Sequence, residues 1–118
     1  MRTRVTRSFT FEAAHELPWH PGKCQRLHGH HYVLEVTVEG PVGPEGIVID
    51  FDELAERFGR RITGRYDHRH LNDLLDNPTA ELLAADAWKQ LEGEDLPVRL
   101  VGLRLWETPD SSVELLAD

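Results

Sequence analysis

The chain has a single cysteine, Cys24, among its 118 residues. No internal disulfide can form, so the fold does not depend on an oxidising compartment and a cytoplasmic location is the expectation. No stretch is long and apolar enough to span a bilayer, and the early arginines Arg2, Arg4 and Arg7 are not followed by the apolar run of a signal peptide. Positive charge is scarce: 13 Lys and Arg against 21 Asp and Glu leave a net charge of -8. That balance removes the positive field on which nucleic-acid and anionic-membrane binding depend. A small anionic substrate remains compatible, held by local charge from a metal, Lys23, Arg26 or backbone amides at a helix start. Lys23 and Arg26 read equally well as solvated loop charges. There is no internal repeat or low-complexity tract, and residues 1–118 make one domain with one core.

What the chain does have is concentrated in Cys24-Gln25-Arg26-Leu27-His28-Gly29-His30-His31. On an extended chain His28 and His30 leave the same face, because strand side chains alternate with a period of two. Gly29 between them lets another backbone or a ligand come close. His15 ends an earlier strand-like run. If the two strands pair, three imidazoles meet at one metal ion, the ligand count of a catalytic zinc with a free fourth position. A His-Gly-His triplet alone is also common in turns and on surfaces. Cys24 lies among polar residues beside Lys23, where a dication and an ammonium would lower its pKa and make it a usable base or nucleophile. The alternative is an inert buried thiol.

Thr3 to Ala13 alternates, with Val5, Phe9, Phe11 and Ala13 in phase, so it reads as a half-buried strand with His15 facing inward. Pro18, Pro21 and Gly22 force a loop, and His20 is a loop residue without a role. Gly29 to Glu39 alternates again, placing His28 and His30 on the apolar face with Tyr32 and Leu34, and His31 on the other. Ile47 to Ile49 reads as a brief extended piece. Asp50 is an N-cap with Glu53 as capping-box partner. Phe51, Leu54, Phe58 and Ile62 form the apolar stripe of a helix that Gly64 closes.

Asp67, His68 and His70 lie in a polar loop. They read as a second metal pair, an Asp-His acid/base unit, or a plain connection; as extended neighbours Asp67 and His68 could not easily bond each other. Asn77-Pro78-Thr79-Ala80-Glu81 starts a second helix reaching about Leu91, with Gly93 ending it. Val98 to Glu107 is a third long strand whose phase slips near Val101-Gly102, indicating a bulge. Glu107 ends its apolar face, either waiting for a ligand's donors or reaching solvent. Ser112 to Leu116 gives a short last strand. The expected architecture is α+β: a four-stranded antiparallel sheet in the order ββααββ with both helices on one face. Bare edges on so small a sheet predict an oligomer, closed into a barrel.

Taken together, His15, then Cys24 with His28-Gly29-His30 after a three-residue gap, Asp67-His68 with Leu71-Asn72, Pro78-Thr79-Ala80-Glu81 and Trp106-Glu107-Thr108 resemble the 6-pyruvoyl-tetrahydropterin and 6-carboxytetrahydropterin synthase family. The likeness covers nearly the whole chain. It implies the tunnelling fold (T-fold), with trimers pairing into homohexamers around a β-barrel and active sites at subunit contacts. It further implies zinc on His15, His28 and His30, a catalytic thiolate at Cys24, proton transfer assisted by Asp67 and His68, and a pterin anchored by Glu107. The substrate would be dihydroneopterin triphosphate. The short gap after Cys24 resembles the type that makes 6-carboxytetrahydropterin, for queuosine and related deazapurines; the pyruvoyl type usually carries an insertion there. His31 and the Thr108-Pro109-Asp110 turn depart from the family pattern. A non-catalytic zinc-binding oligomeric module with Cys24 as fourth ligand, and a metal-dependent hydrolase, are the readings from other classes.

Overall fold

A computed structural model describes residues 1–118. Its frame is a long hairpin of β1 (Thr3–His15) and β2 (His28–Gly40), paired antiparallel along their whole length. β4 (Arg99–Thr108) pairs with β2, and β5 (Ser111–Leu116) pairs with β4, both antiparallel. Phe9, Phe11 and Ala13 of β1, Tyr32, Leu34, Val36 and Val38 of β2, and Leu103 and Leu105 of β4 are buried on one face. Helix α1 (Phe51–Tyr66) covers that face with Leu54, Phe58, Ile62 and Tyr66, and α2 (Ala80–Glu92) with Leu83, Ala84, Ala87 and Leu91. The α+β class and the placing of both helices on one face therefore follow from the period-two and helical stripes. The other face is polar: Thr6 and Thr37 hydroxyls meet at 2.8 Å, and Trp106 Nε1 donates to Glu35 Oε1 at 2.7 Å.

The sheet has five strands rather than the expected four. The extra strand is β3 (Arg69–His70), which pairs parallel with β1 at Ala13 and Ala14, so the strands lie in the order β3-β1-β2-β4-β5 and the element order is ββαβαββ. Two residues are too few to show an alternation. The Ile47–Ile49 piece is not a strand; Gly43 N–H bonds Ile47 O at 2.9 Å and folds the segment into a turn.

Asp50 caps α1 by accepting from Asp52 N–H at 2.8 Å rather than through a reciprocal box with Glu53. The helix also continues through Gly64 to Tyr66, because the last turn is fastened to α2. The Tyr66 hydroxyl donates to Asp86, and Arg65 grips the same carboxylate through Nε at 2.9 Å and Nη2 at 3.3 Å. Helix α2 starts within the expected Asn77–Glu81 stretch, capped by Thr79, which accepts from Leu82 N–H, so that Pro78 precedes the helix.

The expected bulge is present. Thr37 faces Gly102 while Val38 faces Leu100, which leaves Val101 as the extra residue. After it, Leu103 and Leu105 return to the buried face.

A second helix fastening makes a pH prediction. Glu94 accepts from Arg57 Nε at 2.5 Å and also from Arg61 Nε, and these two bonds hold its carboxyl below the usual carboxylate range. A carboxyl whose folded pKa is depressed stabilises above its unfolded value and loses that contribution as pH falls through the folded one. Thermal melts of the parent and Glu94→Gln should therefore differ at neutral pH and converge below about pH 4. A constant difference down to the acid limit would contradict the assignment.

Candidate metal centre

The β1–β2 register puts His15 opposite His28 and His30 opposite Ala13. Directly opposed residues share a face, so the three imidazoles gather at one end of the hairpin. Their ligand nitrogens all lie within 4.8 Å of one another. His15 is 1% exposed; His28 and His30 are half-buried.

Backbone carbonyls orient two of the rings. His15 Nδ1 faces the Pro78 carbonyl at 2.8 Å, and His28 Nδ1 faces the Arg26 carbonyl at 2.7 Å. A carbonyl only accepts, so each Nδ1 carries a proton and each ring turns inward its Nε2, the atom it has to offer a cation. The two Nε2 atoms stand 3.0 Å apart. Glu107 Oε1 adds a negative oxygen 3.5 Å from His15 Nε2 and 3.8 Å from His30 Nε2. Burial holds the His30 imidazole below its usual pKa, assisted by His15 and His28 and opposed by Glu107, which favours the neutral ligand form. Three converging ring nitrogens beside a carboxylate make a seat for a cation. Nδ1–H to a backbone carbonyl is the outer support that metal-binding histidines ordinarily carry. The residues fit a dication such as zinc.

Glu107 follows Trp106, which pairs with Val33, and its carboxylate reaches the imidazoles from the end of β4. Cys24 sits in a 3-10 turn, Lys23–Gln25, between β1 and β2, where its carbonyl accepts from Leu17 N–H at 3.0 Å. The thiol is half-buried, and its sulfur is not part of the nitrogen cluster. A closed shell with Cys24 as fourth ligand is therefore not formed within one chain.

Asp67 is the C-cap of α1, and Asp67 Oδ2 lies 2.9 Å from His68 Nδ1, against the expectation that these neighbours could not bond. The backbone is not extended there: His68 has φ 58°, the left-handed region, which folds its ring back over Asp67. Both groups are tied to β1 through Glu12, whose N–H donates to Asp67 Oδ1 at 2.9 Å and whose carbonyl accepts from His68 N–H at 2.6 Å. Chiefly through the Glu12 N–H and then through His68, Asp67 is held below the usual carboxylate range. His68 shares a depression of about 500 Å³ with Glu12, His30, His31, Arg69 and His70. His31 points to the opposite face from His30 and pairs with Glu12, as its phase predicts. His70 does not join the metal cluster.

Several participants are not legible from residue types. The Pro78 and Arg26 carbonyls are backbone groups with no signature of their own. Asn72 holds the chain after His15 by two hydrogen bonds to backbone, accepting from Glu16 N–H at 3.0 Å and donating to Glu16 O at 2.9 Å; its only signal was its place in the Leu71-Asn72 pair.

A helix-backed sheet with three imidazoles and a carboxylate gathered at one end of its central hairpin defines an α+β protein built around a metal centre. The chain belongs to the 6-pyruvoyl tetrahydropterin synthase family, which it matches over residues 4–118. It is 38% identical over 100 residues to the 6-carboxy-5,6,7,8-tetrahydropterin synthase of Synechocystis sp., covering 79% of this chain and 78% of that one. It is 37% identical over 117 residues to the dihydroneopterin monophosphate aldolase of Pyrococcus furiosus, covering 98% of both. The 6-pyruvoyl tetrahydropterin synthase structure from Caenorhabditis elegans superposes with a TM-score of 0.88 at 26% identity, covering 100% of this chain and 97% of that one. No helix is long and apolar enough to cross a membrane.

Proposed function

We propose that the protein is a zinc-dependent lyase that converts 7,8-dihydroneopterin triphosphate and water to 6-carboxy-5,6,7,8-tetrahydropterin, with release of acetaldehyde and triphosphate. The observation that carries this reading is the convergence of the His15, His28 and His30 ring nitrogens, with Nε2 of His15 and His28 3.0 Å apart, beside Glu107. His15, His28 and His30 would hold the metal. When bound, the dication supplies Lewis-acid stabilisation of negative charge on an oxygen of the substrate's side chain.

The remaining steps belong to the protein's own groups. Glu107 accepts the two donors on the guanidine-like edge of the pterin in a fork. Asp67 orients the His68 imidazole through Nδ1–H and leaves Nε2 to take or give a proton. The Cys24 thiolate is the second proton acceptor. Neither Cys24 nor the 80% exposed His68 side chain closes onto the histidine cluster within one chain. The reading therefore includes a homohexamer, a dimer of trimers whose sheets close into a β-barrel, with active sites completed at subunit contacts. The bare edge of β5 and the polar free face of the sheet suit that assembly. A cytoplasmic place in queuosine or related deazapurine synthesis goes with this product.

A second reading is favoured by the end-to-end match to the Pyrococcus furiosus aldolase. There the same groups would remove a proton from a side-chain hydroxyl, the adjacent carbon–carbon bond would break, and its electron pair would pass into the ring imine. The 6-pyruvoyl outcome from the triphosphate is the third. Incubating metal-loaded protein separately with dihydroneopterin triphosphate and monophosphate, and weighing the pterin products by mass spectrometry, separates the three. The 6-carboxy product from the triphosphate is expected. A shortened pterin from the monophosphate alone, or a pyruvoyl product, would replace this reading.

A further inference from the structure

His15 is the last residue of β1, and its pair with His28 is the last rung of the β1–β2 ladder, so the strand pairing stops at one of the three clustered imidazoles. Strand ends fray unless something else holds them. On the other side of β1, β3 pairs through Ala13–Arg69 and Ala14–His70 and then turns into the 3-10 helix Leu71–Asp73. Two positions further along each chain, the Asn72 side chain meets Glu16: Oδ1 accepts from Glu16 N–H at 3.0 Å and Nδ2 donates to Glu16 O at 2.9 Å. Opposed residues of an antiparallel ladder exchange the same two bonds; here a side-chain amide supplies them. The Glu16 N–H belongs to the planar peptide group that includes the His15 Cα, so this bond fixes the backbone from which the imidazole projects. Pro78, in the same connection between β3 and α2, holds the ring by accepting from His15 Nδ1 at 2.8 Å. His28, by contrast, is set by Arg26 O on its own loop.

We propose that Asn72 is a positioning residue of the metal centre, clamping the His15–Glu16 peptide so that the His15 imidazole is aimed at the cation before the cation arrives. Asn72 fixes the backbone end of His15 and the Pro78 carbonyl fixes the ring end. Outer partners that orient a ligand are ordinarily worth about ten- to a hundredfold in metal affinity. The inference rests on the reading of His15, His28 and His30 as the metal seat.

Zinc dissociation constants, measured by competition with a chelator, and melting curves of the metal-free forms are compared for the parent, Asn72→Ala, Asn72→Asp and Tyr66→Phe. Asn72→Ala removes both bonds to Glu16. Asn72→Asp is isosteric and keeps the acceptor for Glu16 N–H, but sets an oxygen against Glu16 O; its added negative charge favours a dication, so a loss there is not electrostatic in origin. Both variants should stay folded without metal, since Asn72 lies outside the hydrophobic core, and both should bind zinc at least about tenfold more weakly. Tyr66→Phe removes the bond to Asp86 that fastens α1 to α2, and should lower the melting temperature while keeping the parent's zinc affinity. Parent-like zinc binding by Asn72→Ala would leave Asn72 a purely structural clamp and overturn the proposal. An equal loss in Tyr66→Phe, or a metal-free Asn72→Ala already unfolded at the temperature of the titration, would overturn it too, by tracing the effect to general loosening. If His28→Ala binds zinc like the parent, the seat itself is wrong and this inference falls with it; zinc lost by His28→Ala but kept by Asn72→Ala removes only the role of Asn72.

Discussion

His28→Ala is expected to release the metal and to lower product formation on the order of a thousandfold, the scale of losing a metal's charge stabilisation at a reacting oxygen. The expectation is specific because the ring is held from both sides. Arg26 O fixes its Nδ1, and its Nε2 faces that of His15 across 3.0 Å. With Glu107 committed to the pterin, removing His28 leaves two imidazoles, one short of the three protein ligands that catalytic zinc ordinarily has. The metal-free variant should melt close to the metal-free parent, since half-buried His28 stands outside the hydrophobic core and alanine does not open it. Metal content by elemental mass spectrometry and melting curves of both forms check it. A variant that retains one metal per chain would mean that the cation sits elsewhere.

Cys24→Ala should behave oppositely: metal content and melting temperature stay with the parent while product formation drops by roughly a hundredfold or more, the usual range for losing a positioned proton-transfer group. The thiol stands in a short turn outside the nitrogen cluster, so neither fold nor metal depends on it. Each competing reading gives a different outcome. A structural zinc module would release metal and unfold, and a hydrolase using metal-bound water would keep turning over. Product formed at the parent rate would remove the thiolate from the mechanism.

The three long strands, both helices and the metal trio were readable from the chain because each rests on periodicity. Half-buried strands must alternate, and the phase shared by His28, His30, Tyr32 and Leu34 fixed where the imidazoles point. What escaped was set by contacts distant in sequence or by backbone geometry. β3 exists because Glu12 O receives His68 N–H and Ala13 aligns with Arg69, pairings that two residues cannot announce. Gly64 looked like a helix end because glycine costs about 1 kcal/mol in a helix interior. The grip of Arg65 and Tyr66 on Asp86 offsets that. The Asp67–His68 bond needed a positive φ that no residue type between them signals.

The unpaired Val101 acts at a distance as a parity switch. Leu100 pairs with Val38 and Gly102 with Thr37, so the ladder steps over Val101 and the pairs on both sides of it keep their faces. Were Val101 instead drawn into a regular ladder from the Leu100–Val38 pair, each later side chain of β4 would slide to the opposite surface of the sheet. Trp106 would then press into the interior, and Glu107, roughly 20 Å along the strand, would stand with His31, cut off from the cation seat.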